Sequence, residues 1–141
     1  MKIYLRTVNY YETDQMAVVH HSNYIRYFEE ARTSFMEQVG YPYARLEAEH
    51  IVSPVVSVSC EYRRPIHYPD TVEIRVSLVK MTHARCAFDY VIVDHETGEL
   101  RAKGHSEHCY LDSEGRILSI KRSNPLFYEC FLAELESPSE D

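Results

Sequence analysis

The chain has no tryptophan, four glycines and four cysteines in 141 residues, no run of about eighteen apolar residues, and no excess of positive charge. Each shortage excludes something. Without a long apolar run there is no candidate helical span of a bilayer. Cys60, Cys86, Cys109 and Cys130 lie far apart with no Cys-x-x-Cys pair, which indicates neither a zinc ribbon nor a disulfide framework. At least two of them fall on strand-like patterns, where a reduced thiol packs as a small apolar group. A formal charge of −7 withholds the basic field that a phosphate backbone requires, so nucleic acid is not an expected partner. The opening Met1-Lys2-Ile3-Tyr4-Leu5-Arg6 lacks the apolar core of a secretory signal and alternates as a first strand does, which makes the cytoplasm the expected location.

What is present suits one globular domain. Hydrophobic residues make up 45% of the chain, which is long enough to close its own core and shows no break in composition. The expected organisation is a single domain over residues 1–136 followed by an acidic tail, 137–141.

Strand signals dominate the second half. Val56, Val58, Cys60 and Tyr62 alternate with polar residues, as do Val72, Ile74, Val76 and Leu78, with a turn at Pro65–Asp70 between the two runs. Ala84, Cys86, Phe88, Tyr90 and Ile92 continue the pattern to the break at Asp94–Gly98, and a further strand runs from Leu100 to Leu111. Connections this short favour antiparallel neighbours. With a strand at residues 3–10, the expectation is an α+β chain: a meander of about five antiparallel strands with helix packed on one face. A short helical turn is expected at Tyr43–His50 and a C-terminal helix at Asn124–Glu136.

The most informative stretch is Tyr10 to Arg32. Tyr24, Tyr27, Phe28, Ala31, Phe35 and Val39 share one helical face, so a helix is expected from about 23 to about 39, capped by Ser22 or Asn23 and stopped by Gly40. Asp14 stands just ahead of it. A carboxylate beside the N–H groups of a helix start, which can receive a developing oxyanion, outlines an acyl-transfer site. His20 beside His21 suggests no metal site, because adjacent side chains diverge and no third ligand is suitably spaced. His105 and His108, three apart on a strand, face opposite sides of the sheet.

The pattern Tyr-x-x-x-Asp-x-x-x-Val-Val-x-His-x-Asn-Tyr, met by Tyr10, Asp14, Val18, Val19, His21, Asn23 and Tyr24, resembles the signature of hotdog-fold acyl-CoA thioesterases of the 4-hydroxybenzoyl-CoA thioesterase superfamily, specifically the Tol-Pal-associated type. The likeness continues through Tyr27–Arg32 and Tyr62–Asp70 and covers about residues 3–120.

The resemblance implies a curved antiparallel sheet wrapped around one long central helix. It implies subunits joined edge to edge as a homodimer or homotetramer, with active sites at the interface and no cofactor. It makes Asp14 the catalytic carboxylate, as nucleophile or as base for a water, and the His21 N–H the donor to the thioester oxygen. The His21 imidazole and the Tyr10 hydroxyl join the same pocket. Asn23 and the basic residues Arg63, Arg64 and Arg85 are candidates for holding acyl-CoA, with acyl carrier protein as the other thiol carrier. Glu29 and Glu30, where a related branch carries its catalytic acid, read here as solvated or interface charges. Gln15-Met16-Ala17 replaces a segment that in relatives usually contains glycine, which alters the loop where positive φ or close approach is used. Two alternatives remain: a hotdog dehydratase or hydratase, and a non-catalytic acyl-CoA-binding protein.

Overall fold

Alternation of apolar and polar residues produces five strands in the computed structural model, which describes residues 1–137; the rest of the expected acidic tail lies outside the described residues. They are β1 (Lys2–Thr7), β2 (Val55–Tyr62), β3 (Thr71–Met81), β4 (Arg85–Asp94) and β5 (Leu100–Cys109). All pairings are antiparallel, in the order β1-β3-β4-β5-β2. The helices are α1 (Ser22–Gln38), α2 (Tyr43–Ala48), α3 (Ile120–Ser123) and α4 (Pro125–Leu132).

Helix α1 lies against the inner face of the sheet and buries Tyr24, Tyr27, Phe28, Ala31 and Phe35. Phe28 stacks on Tyr90 with ring centroids 4.4 Å apart, and Phe35 meets Phe88 edge-on at 5.3 Å. Val72, Ile74, Val76 and Leu78 of β3 and Cys86, Phe88, Tyr90 and Ile92 of β4 supply the facing side chains. This is the expected α+β hotdog arrangement of five antiparallel strands and one long helix. α1 ends in a Schellman motif: Gly40 at φ +88°, with Tyr41 N–H donating to Met36 C=O and Gly40 N–H to Glu37 C=O.

The strands do not form a simple meander. β3, β4 and β5 follow one another, but β2 crosses to the far edge and pairs with β5, while β1 takes the place beside β3. The segment after β2 makes this crossing beneath the start of α1, where Val19 N–H donates to Ile66 C=O. β2 is therefore an edge strand, and Val56, Val58 and Tyr62, expected on a covered face, are 42–50% exposed.

Three further expectations are corrected. β1 stops at Thr7, because Glu12 folds back to accept from the Asn9 N–H and draws residues 10–12 into a 3-10 turn. Neither Ser22 nor Asn23 caps α1: the cap position is His21, Ser22 Oγ bonds His20, and the Asn23 amide donates to Glu12 C=O. The C-terminal helix starts as expected, with Pro125 in the first turn of α4, but ends at Leu132 instead of Glu136, and a separate short helix, α3, precedes it.

Candidate active site

The loop ahead of α1 is built on one buried carboxylate. Glu12, 5% exposed, accepts from Arg6 Nη2 at 2.7 Å, from the Tyr27 hydroxyl at 2.8 Å and from the Asn9 N–H at 2.7 Å. Arg6 also reaches Glu30 at 2.8 Å, and the Tyr4 hydroxyl donates to the same Glu30, so Glu30 is a structural partner and not a solvated charge. Burial, reinforced by Glu12, raises the Tyr27 pKa and keeps the phenol protonated as a donor. The Glu12 carbonyl in turn accepts from the His20 N–H at 2.8 Å and from the Asn23 amide at 3.0 Å, which pins both ends of the loop.

Between those pins the chain makes a tight excursion with Asp14 near its tip. Thr13 bridges Val19, the Asp14 N–H donates to Val18 C=O at 2.9 Å, and Ala17 adopts φ +63°. Positive φ thus occurs within the segment that lacks glycine, with alanine bearing the steric cost. Asp14 Oδ1 accepts the Met16 N–H at 2.8 Å; Oδ2 has no partner among the described residues.

Asp14, His21, Tyr24, Tyr62, Arg63 and Arg64 border one open pocket of about 330 Å³ at the start of α1, with Met16, Val18, Val19 and Pro65 completing it. Tyr62 closes one side: its hydroxyl donates to His21 C=O at 3.2 Å and its ring meets Tyr24 edge-on at 4.8 Å. Burial, with the nearby Cys60 and Tyr62, pushes the Tyr24 phenol up to about 12. The His21 N–H has no acceptor among the described residues. No acidic residue occupies the first turn of α1, so the positive end of its dipole is not offset there. The arrangement offers a carboxylate, an unbonded N–H at a helix start and two guanidinium side chains around one opening.

Other expected site residues fall outside it. Tyr10 is 76% exposed and packs edge-on against Tyr68 at 5.6 Å, away from the pocket lining. Asn23 is buried and committed to Glu12 and Arg26. Arg85 begins β4, at the end of that strand far from the one paired with Ala102. Neither Glu12 nor Tyr62 announces a site-building role in the sequence. The Asn9-x-x-Glu12 spacing, that of a capping box, was the available signal for Glu12.

Comparison with known proteins gives a consistent set. A profile of the thioesterase-like superfamily matches residues 8–135. A protein of Aquifex aeolicus (strain VF5), provisionally named an esterase, is 36% identical over 120 residues, covering 85% of this chain and 91% of its own. YneP of Bacillus subtilis (strain 168), provisionally named an acyl-CoA thioesterase, is 34% identical over 125 residues, covering 88% and 90%. Among solved structures, the DHNA-CoA thioesterase of Staphylococcus aureus superposes with a TM-score of 0.89 at 30% identity, over 93% of this chain and 88% of that one.

Proposed function

The chain belongs to the thioesterase-like superfamily, and from that premise we propose that it hydrolyses an acyl-CoA thioester to the free carboxylic acid and CoA. The observation that carries this reading is the convergence of Asp14 and the unbonded His21 N–H on one pocket at the start of α1. The thioester carbonyl oxygen would accept from that N–H, and the α1 dipole would stabilise the charge it gains as the carbonyl carbon becomes tetrahedral. Two routes lead there. Asp14 Oδ2 attacks the carbonyl carbon, CoA leaves as thiolate, and water cleaves the resulting anhydride; or Asp14 takes a proton from a water whose oxygen attacks, and the thiolate leaves from that adduct. The His21 imidazole, whose residue lines the pocket, would orient that water. Arg63 and Arg64 offer the positive charge that CoA phosphates require; docking of acyl carrier protein would use the same patch.

The exposed β2 edge, with Val55, Val56, Val58 and Tyr62 uncovered, supports a homodimer in which two copies pair antiparallel along β2, and pairs of dimers would give a tetramer. None of the helices among the described residues is long and apolar enough to cross a membrane; the proposed location, the cytoplasm, rests on the strand-like start of the chain.

The test is release of free thiol from short, long and aromatic acyl-CoAs, with wild type and Asp14→Asn compared at equal fold and oligomer size. Loss of turnover in the variant supports the reading; equal activity removes Asp14 from it. After a single turnover in ¹⁸O-water, label in the Asp14 carboxylate identifies nucleophilic attack with water entering at the Asp14 carbonyl of the anhydride, since general-base catalysis labels the product acid alone.

A further inference from the structure

A second cavity, of about 200 Å³, lies between α1 and the inner face of β4 and β5. Its walls are mostly apolar and rich in rings, including Met36, Leu46, Phe88, Phe127 and Phe131. Glu29, Arg32 and Val55 border it and also border a shallower depression of about 290 Å³ along β2, so the cavity adjoins the exposed edge.

One polar group on its wall is unexplained by the fold. His108, 1% exposed, has an Nδ1 atom that is buried and without a partner among the described residues. Its other nitrogen ends a chain of hydrogen bonds: Arg32 Nη1 to the Tyr90 hydroxyl at 3.4 Å, Tyr90 to Ser106 Oγ at 2.7 Å, and Ser106 Oγ to His108 Nε2 at 2.8 Å. The direction of that chain follows from its first member. A guanidinium only donates, so the Tyr90 oxygen accepts from it, and among the described residues Ser106 Oγ is the acceptor open to the Tyr90 proton; the Ser106 proton then goes to Nε2. His108 is left as the Nδ1–H tautomer. Burial lowers its pKa to about 3 and keeps the ring neutral. A buried donor without an acceptor carries a desolvation cost that an apolar side chain of similar size would avoid.

We propose that this cavity receives the acyl group of the thioester and that His108 Nδ1–H donates to an oxygen on it, selecting ring-sized acyl groups with a hydroxyl or keto substituent over unsubstituted ones. The size agrees, since an apolar cavity of about 150 Å³ accommodates benzene. The proposal rests on the thioesterase reading and on the β2-paired dimer. Antiparallel pairing sets the Val55 end of one strand beside the Tyr62 end of the other, so this cavity in one copy faces the Asp14 pocket of the second.

The experiment compares thiol release from 4-hydroxybenzoyl-CoA and benzoyl-CoA by wild type, His108→Leu and Ser106→Ala. It is paired with NMR of the ¹⁵N-histidine-labelled full chain titrated with p-cresol and toluene. The expected result is a preference of about tenfold or more for the hydroxylated thioester, falling to about one in His108→Leu while benzoyl-CoA turnover persists. The His108 Nδ1–H resonance should shift with p-cresol and not with toluene. A preference unchanged in His108→Leu overturns the proposal and leaves thioester hydrolysis intact. If neither thioester is cleaved, the thioesterase reading fails on its own account, and the titration decides: p-cresol binding no tighter than toluene overturns the proposal. An Nε2–H tautomer in the free protein overturns it as well. Should His108→Leu not fold, Ser106→Ala, which removes the relay and keeps the imidazole, must weaken the preference.

Discussion

Arg6 and Glu12 form a two-point ion pair, Nη2 to Oε2 at 2.7 Å and Nη1 to Oε1 at 3.2 Å, and this pair holds the loop that carries Asp14. When Glu12 is removed Arg6 keeps Glu30 as a partner, but the Tyr27 hydroxyl and the Asn9 N–H lose their acceptor, and a buried donor left unsatisfied costs about 1–3 kcal/mol. Glu12→Ala should lower the urea midpoint accordingly and reduce kcat/KM, because the loop between Glu12 and His20 loses its anchor. A variant as stable and active as wild type would show that the loop is held by its backbone bonds alone.

Phe28 and Gly104 occupy each other's space. A Cβ placed on Gly104 would lie 2.3 Å from the Phe28 ring, which is itself pressed against Tyr90. Gly104→Ala should therefore destabilise the fold by about 1–3 kcal/mol through overpacking. The double variant with Phe28→Leu should recover part of that loss, and thermal unfolding of the two proteins provides the comparison.

Ala17 bears a left-handed backbone where glycine would be relaxed. Ala17→Gly should leave stability unchanged within about 1 kcal/mol, since relief of strain is offset by a more flexible unfolded chain. Ala17→Val should destabilise the loop and depress turnover more than it alters global unfolding, because a β-branched residue resists that conformation. Steady-state kinetics beside chemical denaturation separates the two effects.

Stability should pass through a maximum near the ordinary histidine pKa. Burial lowers the His105 pKa, but hydrogen bonds to Asp89 at 2.6 Å and Glu107 at 3.1 Å outweigh it and hold it above its usual value. Its contribution is complete below the unfolded pKa and is lost as pH rises through the folded one. His108 is shifted down to about 3, chiefly by burial, so the unfolded chain binds the extra proton and stability falls as pH drops from about 6.5 toward 3. His108 alone gives a limiting slope of about 1.4 kcal/mol per pH unit within its window, while the half-exposed His105 gives a smaller, solvent-screened one. Urea titrations across pH should show His105→Gln flattening the alkaline limb and His108→Leu the acid limb.

The sequence made the strands and α1 legible because each has one apolar face of fixed period, and α1 starts and stops within one residue of expectation. It did not make the sheet order legible. The alternation of Val56, Val58 and Cys60 is the same for a covered strand and for an uncovered edge, and only the crossing after Tyr62 decides between them. The Asp14 and His21 placement was readable from motif spacing, with Arg63 and Arg64 beside them. The role of Glu12 was hidden, because a buried acid is revealed only by its partners, and Arg6 and Tyr27 come from two different elements.

The sheet order also sets a timetable for synthesis. Ile3 of β1 pairs with Arg75, and Val58 of β2 pairs with Ser106, so neither edge strand has its neighbour until long after it leaves the ribosome. Helix α1, with its aromatic face, emerges before any of the strands it packs beneath except β1. The nascent chain must carry that greasy helix unsheltered until β3, β4 and β5 arrive, and such non-local pairing makes folding slow and the half-made chain prone to aggregation.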